Sequence, residues 1–461
     1  MEDKGYFFHA LKVNKELCIG CSHCMQSCPT EAIRIREGYA SISENICVDC
    51  GECYRVCPAN AIYVQQDDFQ KINQYKNRIA LVPAVFIGQF PNEIKTREIY
   101  SALIDLGFTH VYEVEQTVDF LRDQINETFK NPENEYPLIS SYCPAAVRLI
   151  QVKYPALTSH IIHLKTPVDL AALDIKSQLT DQGIDEKDFG IFYITPCAAK
   201  IAAIKNPVGE ASSAVTGALN MNAMYNRVYK KLKENKTETC SLSEKSKLSD
   251  TGVLWSLTAG EADHITGRAL AIDGMENLIE FLEKIENEEI KGIDFLELRA
   301  CDQSCAGGIL SAGNRFLSVE RLKNRAKVYQ NRVQSDPKSY GQLYNEEYIK
   351  ENMKLDEVLP RPTALDKDMG KALQKMQKVQ RLMCYLPGFD CGACGAPNCE
   401  SLATDIAQSE ATLSHCPFMQ RVMEKNYKLS PDHSFRIIEK VWGKDRLNKD
   451  CSKKGAVNED I

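Results

Sequence analysis

Two stretches, CIGCSHCMQSCP at residues 18–29 and CVDCGECYRVCP at residues 47–58, set the architecture of the N-terminal part of the chain. In both stretches, two residues lie between the first and second cysteines and between the second and third. Three residues lie between the third and fourth cysteines, and a proline follows the fourth. Spacers of two residues let a tight loop hold three corners of an iron–sulfur cubane, while the fourth cysteine reaches a neighbouring cluster. The repeat therefore predicts two cubanes with interleaved ligands.

Each predicted cluster takes three cysteines from one run and the fourth from the other. The first set is Cys18, Cys21, Cys24 and Cys57, and the second is Cys47, Cys50, Cys53 and Cys28. A pair of zinc knuckles is the alternative, but zinc sites do not normally need eight cysteines in this order. Residues 10–66 resemble bacterial two-cluster ferredoxins, including the apolar pairs Ala32-Ile33 and Ala61-Ile62 after each proline. The resemblance implies an α+β ferredoxin domain over residues 1–75 that transfers electrons.

Composition limits the partners and the compartment. The chain has 461 residues, which predicts several domains, and its net charge of -7 argues against nucleic acid or an anionic membrane as partner. The sequence shows no signal peptide and no apolar run long enough to span a bilayer, so we expect a cytoplasmic protein. In a reducing compartment, 19 cysteines are better explained as metal ligands than as disulfides.

Residues 76–340 have the sequence pattern of an α/β domain. A strand and turn at residues 77–90 and strand patterns at residues 110–114, 191–195 and 268–274 alternate with amphipathic helical patterns such as residues 97–108 and 275–290. This alternation predicts parallel-type sheets flanked by helices. Four cysteines lie at the predicted turns, namely Cys143, Cys197, Cys301 and Cys305.

The contexts of these four cysteines, SSYCPAAV, TPCAAK and RACDQSCAGG, resemble three motifs of the iron–iron hydrogenase catalytic domain. Those motifs read TSCCPxW, MPCxxKxxE and MACxGGCxxGGG. The resemblance implies that all four cysteines hold a central cubane, and that Cys305 bridges to a two-iron subsite carrying carbon monoxide and cyanide. It also implies that Lys200 donates to a cyanide ligand, as an ammonium facing an anion can. The plainer alternative is a solvated lysine.

Several positions depart from the family motifs. The proton-shuttling cysteine, the tryptophan, the methionine and the glutamate of those motifs are replaced by Tyr142, Ala146, Thr195 and Ala203. The spacer at residues 302–304 lacks glycine, and Ile309 interrupts the glycine run. Tyrosine, with an ordinary pKa of about 10, is a poor substitute for a thiol near 8.5, so Tyr142 either has an altered catalytic role or simply fills space. The ligands are retained while the proton path is interrupted.

A third cluster module follows a helical connector at residues 341–384. Residues 385–425 contain a C-x2-C-x4-C-x16-C pattern formed by Cys391, Cys394, Cys399 and Cys416. The pattern resembles the small four-cysteine 4Fe-4S domain of corrinoid iron–sulfur proteins and electron-transport subunits, with a zinc site as the alternative. Residues 426–461 form a polar tail, and Cys240, Cys384 and Cys451 remain as free thiols.

These features predict a multi-cluster redox protein with two N-terminal, one central and one C-terminal 4Fe-4S cluster. The first hypothesis is a slow or sensory FeFe hydrogenase that passes electrons from the central cluster through the accessory clusters, with Tyr142 and Lys200 as candidate catalytic residues. The second is a non-enzymatic electron carrier or redox sensor whose central domain holds only a cubane. Either would work with a redox protein partner, such as a ferredoxin, a flavoprotein or a signalling protein, and the first also with H2 and protons.

Overall fold

The computed structural model describes residues 8–131, 134–234, 248–335, 344–361, 365–366 and 368–447. Cys240 and Cys451 lie outside these residues. The chain forms two compact units. The first comprises Met1–Ala10, Val48–Gly51 and Val64–Arg361, and the second comprises Leu11–Cys47, Glu52–Tyr63 and Pro362–Ile461.

The strands of the described residues are short, and their bounds follow in chain order. They are β1 (Leu11–Val13), β2 (Ile33–Arg36), β3 (Tyr39–Ile42), β4 (Ile62–Val64), β5 (Asn77–Val82), β6 (His110–Glu113), β7 (Leu138–Ile139), β8 (Phe189–Thr195), β9 (Gly217–Asn220), β10 (Ala269–Asp273) and β11 (Phe295–Arg299).

The α-helices of the same residues vary from single turns to nearly six turns. They are α1 (His23–Gln26), α2 (Glu52–Val56), α3 (Ala84–Ile87), α4 (Thr96–Asp105), α5 (Val118–Thr128), α6 (Pro144–Lys153), α7 (Pro167–Asp181), α8 (Ala198–Lys205), α9 (Met221–Glu234), α10 (Asp250–Leu254), α11 (Met275–Glu286), α12 (Arg315–Ser335), α13 (Glu346–Asn352), α14 (Met369–Met383), α15 (Cys399–Ala407), α16 (Pro417–Lys425), α17 (Pro431–Trp442) and α18 (Lys444–Leu447). No described helix has the length and apolar character needed to cross a bilayer.

The first unit is built on two parallel sheets. One has four strands in the order β6-β5-β8-β9, and the other has three in the order β10-β11-β7. All seven residues of β8 are buried, because helices cover both faces of a parallel sheet. Phe192 and Ile194 enter one core, and Ile191 and Tyr193 enter the core on the opposite face. The predicted α/β class with flanking helices is confirmed.

The second unit contains short two-stranded sheets, β1-β4 and β2-β3, together with helices. Strands β2 and β3 are antiparallel, with Ile33 opposite Ile42. A separate core between α14 and α15 includes Val379, Leu402 and Ala403. The predicted helical character of the C-terminal cluster module is confirmed.

Candidate iron–sulfur sites

The central cysteines follow the carboxyl ends of three strands. Cys143 lies between β7 and α6, Cys197 lies between β8 and α8, and Cys301 and Cys305 follow β11. Cys143 and Cys197 are the residues that precede the first turns of α6 and α8. The positive end of a helix stabilises a nearby thiolate. The fold therefore places two of the four predicted ligands at the N-terminal ends of helices.

Three of these thiols come together. Burial, followed by the charge of Cys143, raises the pKa of Cys197 to about 12, and Cys305 also contributes. The backbone N–H of Ala300, next to Cys301, donates to the Cys143 sulfur at 3.5 Å. Buried thiols with such a pKa do not ionise at neutral pH unless a cation replaces their protons. The donor set therefore fits a metal cluster.

Lys200 and Tyr142 both contact Cys305. The Lys200 ammonium lies 3.9 Å from the Cys305 sulfur, and the Tyr142 hydroxyl lies 3.5 Å from it. Lys200 is 7% exposed and lies 4.2 Å from the centre of the Tyr142 ring. Among the residues described, no carboxylate forms an ion pair with Lys200. Its nearest charge-balancing group is therefore the sulfur of a predicted cluster ligand.

The surroundings of Tyr142 keep its hydroxyl protonated. Burial, and then the negative charge of Cys305, raise the pKa of Tyr142 well above its ordinary value. The Arg299 guanidinium lies 3.7 Å from the centre of the same ring. Burial alone lowers the pKa of Lys200, but Cys305 and Tyr142 outweigh burial and raise it. At neutral pH, Tyr142 is therefore protonated and does not act as a base.

A cavity of about 80 Å³ adjoins this group. Its lining includes Tyr142, Val147, Tyr193, Lys200, Ala203 and Pro207. Ala203, which replaces the glutamate of the family motif, contributes no proton-carrying group to this wall. Two other lining residues, Asp169 and Glu210, do carry carboxyl groups, and Glu210 forms an ion pair with Lys165. Burial raises the pKa of Glu210.

The spacer between Cys301 and Cys305 adopts an unusual backbone. Gln303 and Ser304 have φ values of 60° and 51°, a left-handed region that non-glycine residues seldom occupy. The Gln303 N–H donates to Asp273 at 3.0 Å and supports this turn. A Cβ on Gly307 would lie 1.9 Å from the carbonyl oxygen of Asp302, so the turn requires glycine there. The altered spacer thus keeps the two cysteines on one tight turn at the expense of backbone strain.

The second unit gathers the first N-terminal set. Burial, then the charges of Cys21, Cys18 and Cys57, raise the pKa of Cys24 to about 12, so these four thiols are neighbours. The fourth cysteine of each run accepts a hydrogen bond from the backbone N–H four residues later. The Ala32 N–H donates to Cys28 and the Ala61 N–H to Cys57, both at 3.2 Å. Such N–H donors stabilise the charge that a cluster places on its sulfurs.

The C-terminal set also comes together within the second unit. Burial, then the charge of Cys416, raise the pKa of Cys394 to about 11, with Cys391 as a further cause. Burial raises the pKa of Cys416, and Cys399 and Cys391 add to the effect. Cys384 is different, because it is exposed and its sulfur contacts the Gln380 carbonyl of its own helix.

The described residues contain no group of three or more His, Cys, Asp or Glu side chains arranged around a single metal ion. A cubane instead spaces its cysteine sulfurs around a four-iron body.

Sequence reasoning missed an ion pair in the first unit. Arg148 on α6 and Asp49 in the second cysteine run are both fully buried, and their charged atoms lie 2.8 Å apart. The other Asp49 oxygen accepts the Ala10 N–H at 2.8 Å. Cys50, next to Asp49, packs against the same core as Cys143 and Cys197. A carboxylate inside a cysteine run is the one signal that could have indicated this contact.

The comparisons with known proteins agree with this arrangement. The model described as iron only hydrogenase large subunit, C-terminal domain, matches residues 76–218 and 202–309, about half of the chain. A 4Fe-4S dicluster domain matches residues 10–64, and an Fe-S cluster model matches residues 386–418.

Two curated relatives are hydrogenases. The periplasmic Fe hydrogenase large subunit of Nitratidesulfovibrio vulgaris is 30% identical over 212 residues, which are 42% of this chain and 50% of that protein. Iron hydrogenase 1 of Clostridium pasteurianum is 24% identical over 211 residues, which are 43% of this chain and 35% of that protein. The chain thus spans half or less of the length of these relatives.

Among solved structures, a variant of the FeFe-hydrogenase HydA1 from Chlamydomonas reinhardtii is 14% identical, with a TM-score of 0.46, and the match covers 64% of this chain and 96% of that one. The resemblance inferred from the cysteine motifs is confirmed by the family match over the central residues. With its three iron–sulfur regions, this chain belongs to the iron-only hydrogenase large-subunit family.

Proposed function

We propose that this protein is a slow or sensory hydrogenase that passes electrons from its central site through accessory 4Fe-4S clusters. Cys143, Cys197, Cys301 and Cys305 would hold the central cubane, and Cys305 would also bridge to a two-iron subsite. When bound, such a subsite would supply the redox chemistry that interconverts H2 with protons and electrons. The protein is proposed to work in the cytoplasm with a redox protein partner.

The observation that carries this proposal is the position of Lys200. Its ammonium is buried, borders the cavity and lies 3.9 Å from the Cys305 sulfur. A buried cation with no carboxylate ion pair among the described residues is costly unless an anion balances it. Binding of an anionic group beside Cys305 would provide that balance. The subsite proposed here meets that requirement through its cyanide ligands.

Slow turnover follows from the residues that would have to move protons. A general acid or base needs a pKa near the working pH and a place within hydrogen-bond reach. The pKa of Tyr142 is raised well above its ordinary value by burial, and Ala203 has no proton to exchange. Proton delivery through these two positions would therefore be slow even with every ligand in place.

A second candidate function is favoured by the Tyr142 hydroxyl. It lies 3.5 Å from the Cys305 sulfur, and Tyr142 also lines the cavity. If Tyr142 keeps this position when the clusters are bound, Cys305 would serve the cubane alone. The protein would then be an electron carrier or redox sensor.

Infrared spectroscopy separates the two functions. The full chain, matured with the hydrogenase assembly machinery, is expected to show bands of iron-bound carbon monoxide and cyanide, while hydrogen evolution stays slow. Cys305→Ala is the matched control, because it removes the proposed bridging sulfur and should abolish the bands without affecting the second unit's iron. If wild-type protein shows no bands under conditions that mature an authentic hydrogenase, the enzyme proposal fails and the electron carrier replaces it.

A further inference from the structure

One predicted ligand differs from the others in its access to solvent. Of the sixteen cysteines assigned to clusters, all within the described residues, only Cys391 is exposed. The others are buried or intermediate. Electrons cross between proteins where a cluster comes close to the surface, so the loop that carries Cys391 is a natural exit or entry point.

Other parts of this module are covered within the second unit. Arg34 and Arg36 bind Asp405 at 2.9 and 2.7 Å. Arg36 also donates to the Gly395 carbonyl at 2.8 Å, and the Trp442 indole donates to the Ala393 carbonyl at 2.9 Å. These contacts fix the C-terminal module against the ferredoxin strands.

The two cysteine loops of the second unit also touch. A Cβ on Gly392, next to Cys391, would lie 2.9 Å from the terminal carbon of Met25, next to Cys24. An electron that arrives at the Cys391 loop therefore has a packed contact with the loop of the first N-terminal set.

Helix α14 leads toward Cys391 with an exposed apolar seam. We define the seam as Met369, Leu373, Met376 and Met383, which are 84%, 52%, 48% and 36% exposed. Their spacing places them along one side of the helix, while Val379 is buried against α15. Exposed Tyr385 and Phe389 continue from the end of the helix to Cys391. Methionine and aromatic residues are enriched in protein interfaces.

Helix α14 itself carries only positive charge, while Asp366 and the N-cap residue Asp368 lie at its start. Helix α14 carries Lys371, Lys375, Lys378 and Arg381 and no acidic residue, in a chain whose net charge is -7. Lys375 is engaged with Asp366 and Lys378 with the Ile406 carbonyl. Lys371 and Arg381 are exposed and available for an acidic surface.

We propose that the seam of α14, together with Phe389 and Cys391, is the docking face for an acidic ferredoxin-type electron-carrier protein. The apolar seam provides contact area, the cations select an acidic partner, and the exposed cysteine marks the point of electron exchange. One electron passes in each encounter, so the carrier is oxidised as this chain is reduced, or the reverse, and no atoms are transferred. The inference rests on the proposed function only in that the chain exchanges electrons.

Calorimetric titration of the full, cluster-loaded chain with an acidic bacterial ferredoxin tests this docking face. The double variant Lys371→Glu/Arg381→Glu is expected to raise the Kd about tenfold at low salt, with the difference shrinking at high salt. Phe389→Ser is expected to weaken binding at both salt concentrations. The matched control is Lys187→Glu/Lys230→Glu, which reverses two lysines of the first unit that are 75% and 78% exposed.

Each outcome decides the proposal. An unchanged Kd in the α14 variant, or an equal rise in the control, would overturn the docking face. Binding to vesicles of anionic phospholipid that is lost in the same variant, with no ferredoxin binding, would assign the surface to a membrane instead. Iron content confirms that each variant is folded and loaded. The result is independent of the infrared test, because docking requires no two-iron subsite.

Discussion

Removal of one hydroxyl group tests the arrangement around Cys305. In Tyr142→Phe, the ring can keep its contacts with Lys200 and Arg299, but the oxygen 3.5 Å from the Cys305 sulfur is lost. A metal-bound thiolate has no proton, so the tyrosine hydroxyl must be the donor in this hydrogen bond. Donors to cluster sulfurs stabilise the more negative, reduced state. The variant should therefore have a lower reduction potential at the central cluster.

The size of the change follows from the strength of the bond. A buried hydrogen bond contributes about 0.5–1.5 kcal/mol net, which for a one-electron couple corresponds to about 20–60 mV. Redox titration monitored by paramagnetic resonance measures this shift. Tyr112→Phe is the control, since it removes a buried hydroxyl that donates to Asp174 in the same unit. A potential that rises, or stays within about 10 mV of wild type, would refute a direct hydrogen bond to the sulfur.

Two further predictions concern buried charges of the first unit. Asp49→Asn removes the charge opposite Arg148, and breaking such a buried pair costs about 3–5 kcal/mol. Hydrogen exchange at the Ala10 amide, which donates to Asp49, should therefore quicken about 100-fold or more. A change below about tenfold would contradict a stabilising role of the ion pair. Burial raises the pKa of Glu115 from 4.5 to about 8 although its oxygen accepts the Ala84 N–H, so the folded state holds this proton more tightly than the unfolded state. The stability that this protonation contributes is fully present below about pH 4.5 and is lost as pH rises toward about 8. Thermal unfolding of Glu115→Gln should be less dependent on pH across this window, and an unchanged profile would show that Glu115 does not titrate there.

The parts of the structure that could be predicted from the sequence depend on local spacing. The two C-x2-C-x2-C-x3-C-P runs place their cysteines on short loops, and the apolar run of β8 reads directly as a strand buried on both faces. The central motifs were recognisable because the residues around Cys143, Cys197, Cys301 and Cys305 resemble those of the hydrogenase family. In each case, the residues that define the feature lie within a few positions of one another.

The remaining features depend on contacts between distant residues. Asp49 and Arg148 are separated by 99 positions, and no periodicity relates them. Arg36 and Asp405 are 369 positions apart, yet their ion pair fixes the C-terminal module. The exposure of Cys391 likewise depends on which neighbours cover the module, and cysteine spacing carries no such information. Long-range pairing of buried charges is decided by the fold as a whole.

The charges near Cys305 give the strongest physical constraint on its function. Arg299 is neutralised locally, because Glu297 lies 3.1 Å and Glu261 3.4 Å from its guanidinium. Lys200 forms no such ion pair among the described residues; its ammonium contacts the Cys305 sulfur and aromatic rings, and Glu115 and Glu261 act on it only as more distant charges. If the lysine merely filled space, an apolar side chain would avoid the desolvation of a buried charge. Its presence indicates that the site has to stabilise negative charge at Cys305 or in the adjoining cavity. Tyr142 adds a hydrogen-bond donor at the same sulfur but no proton acceptor. Together these residues place an ammonium and a hydroxyl at the Cys305 sulfur, which supports the slow or sensory function proposed above.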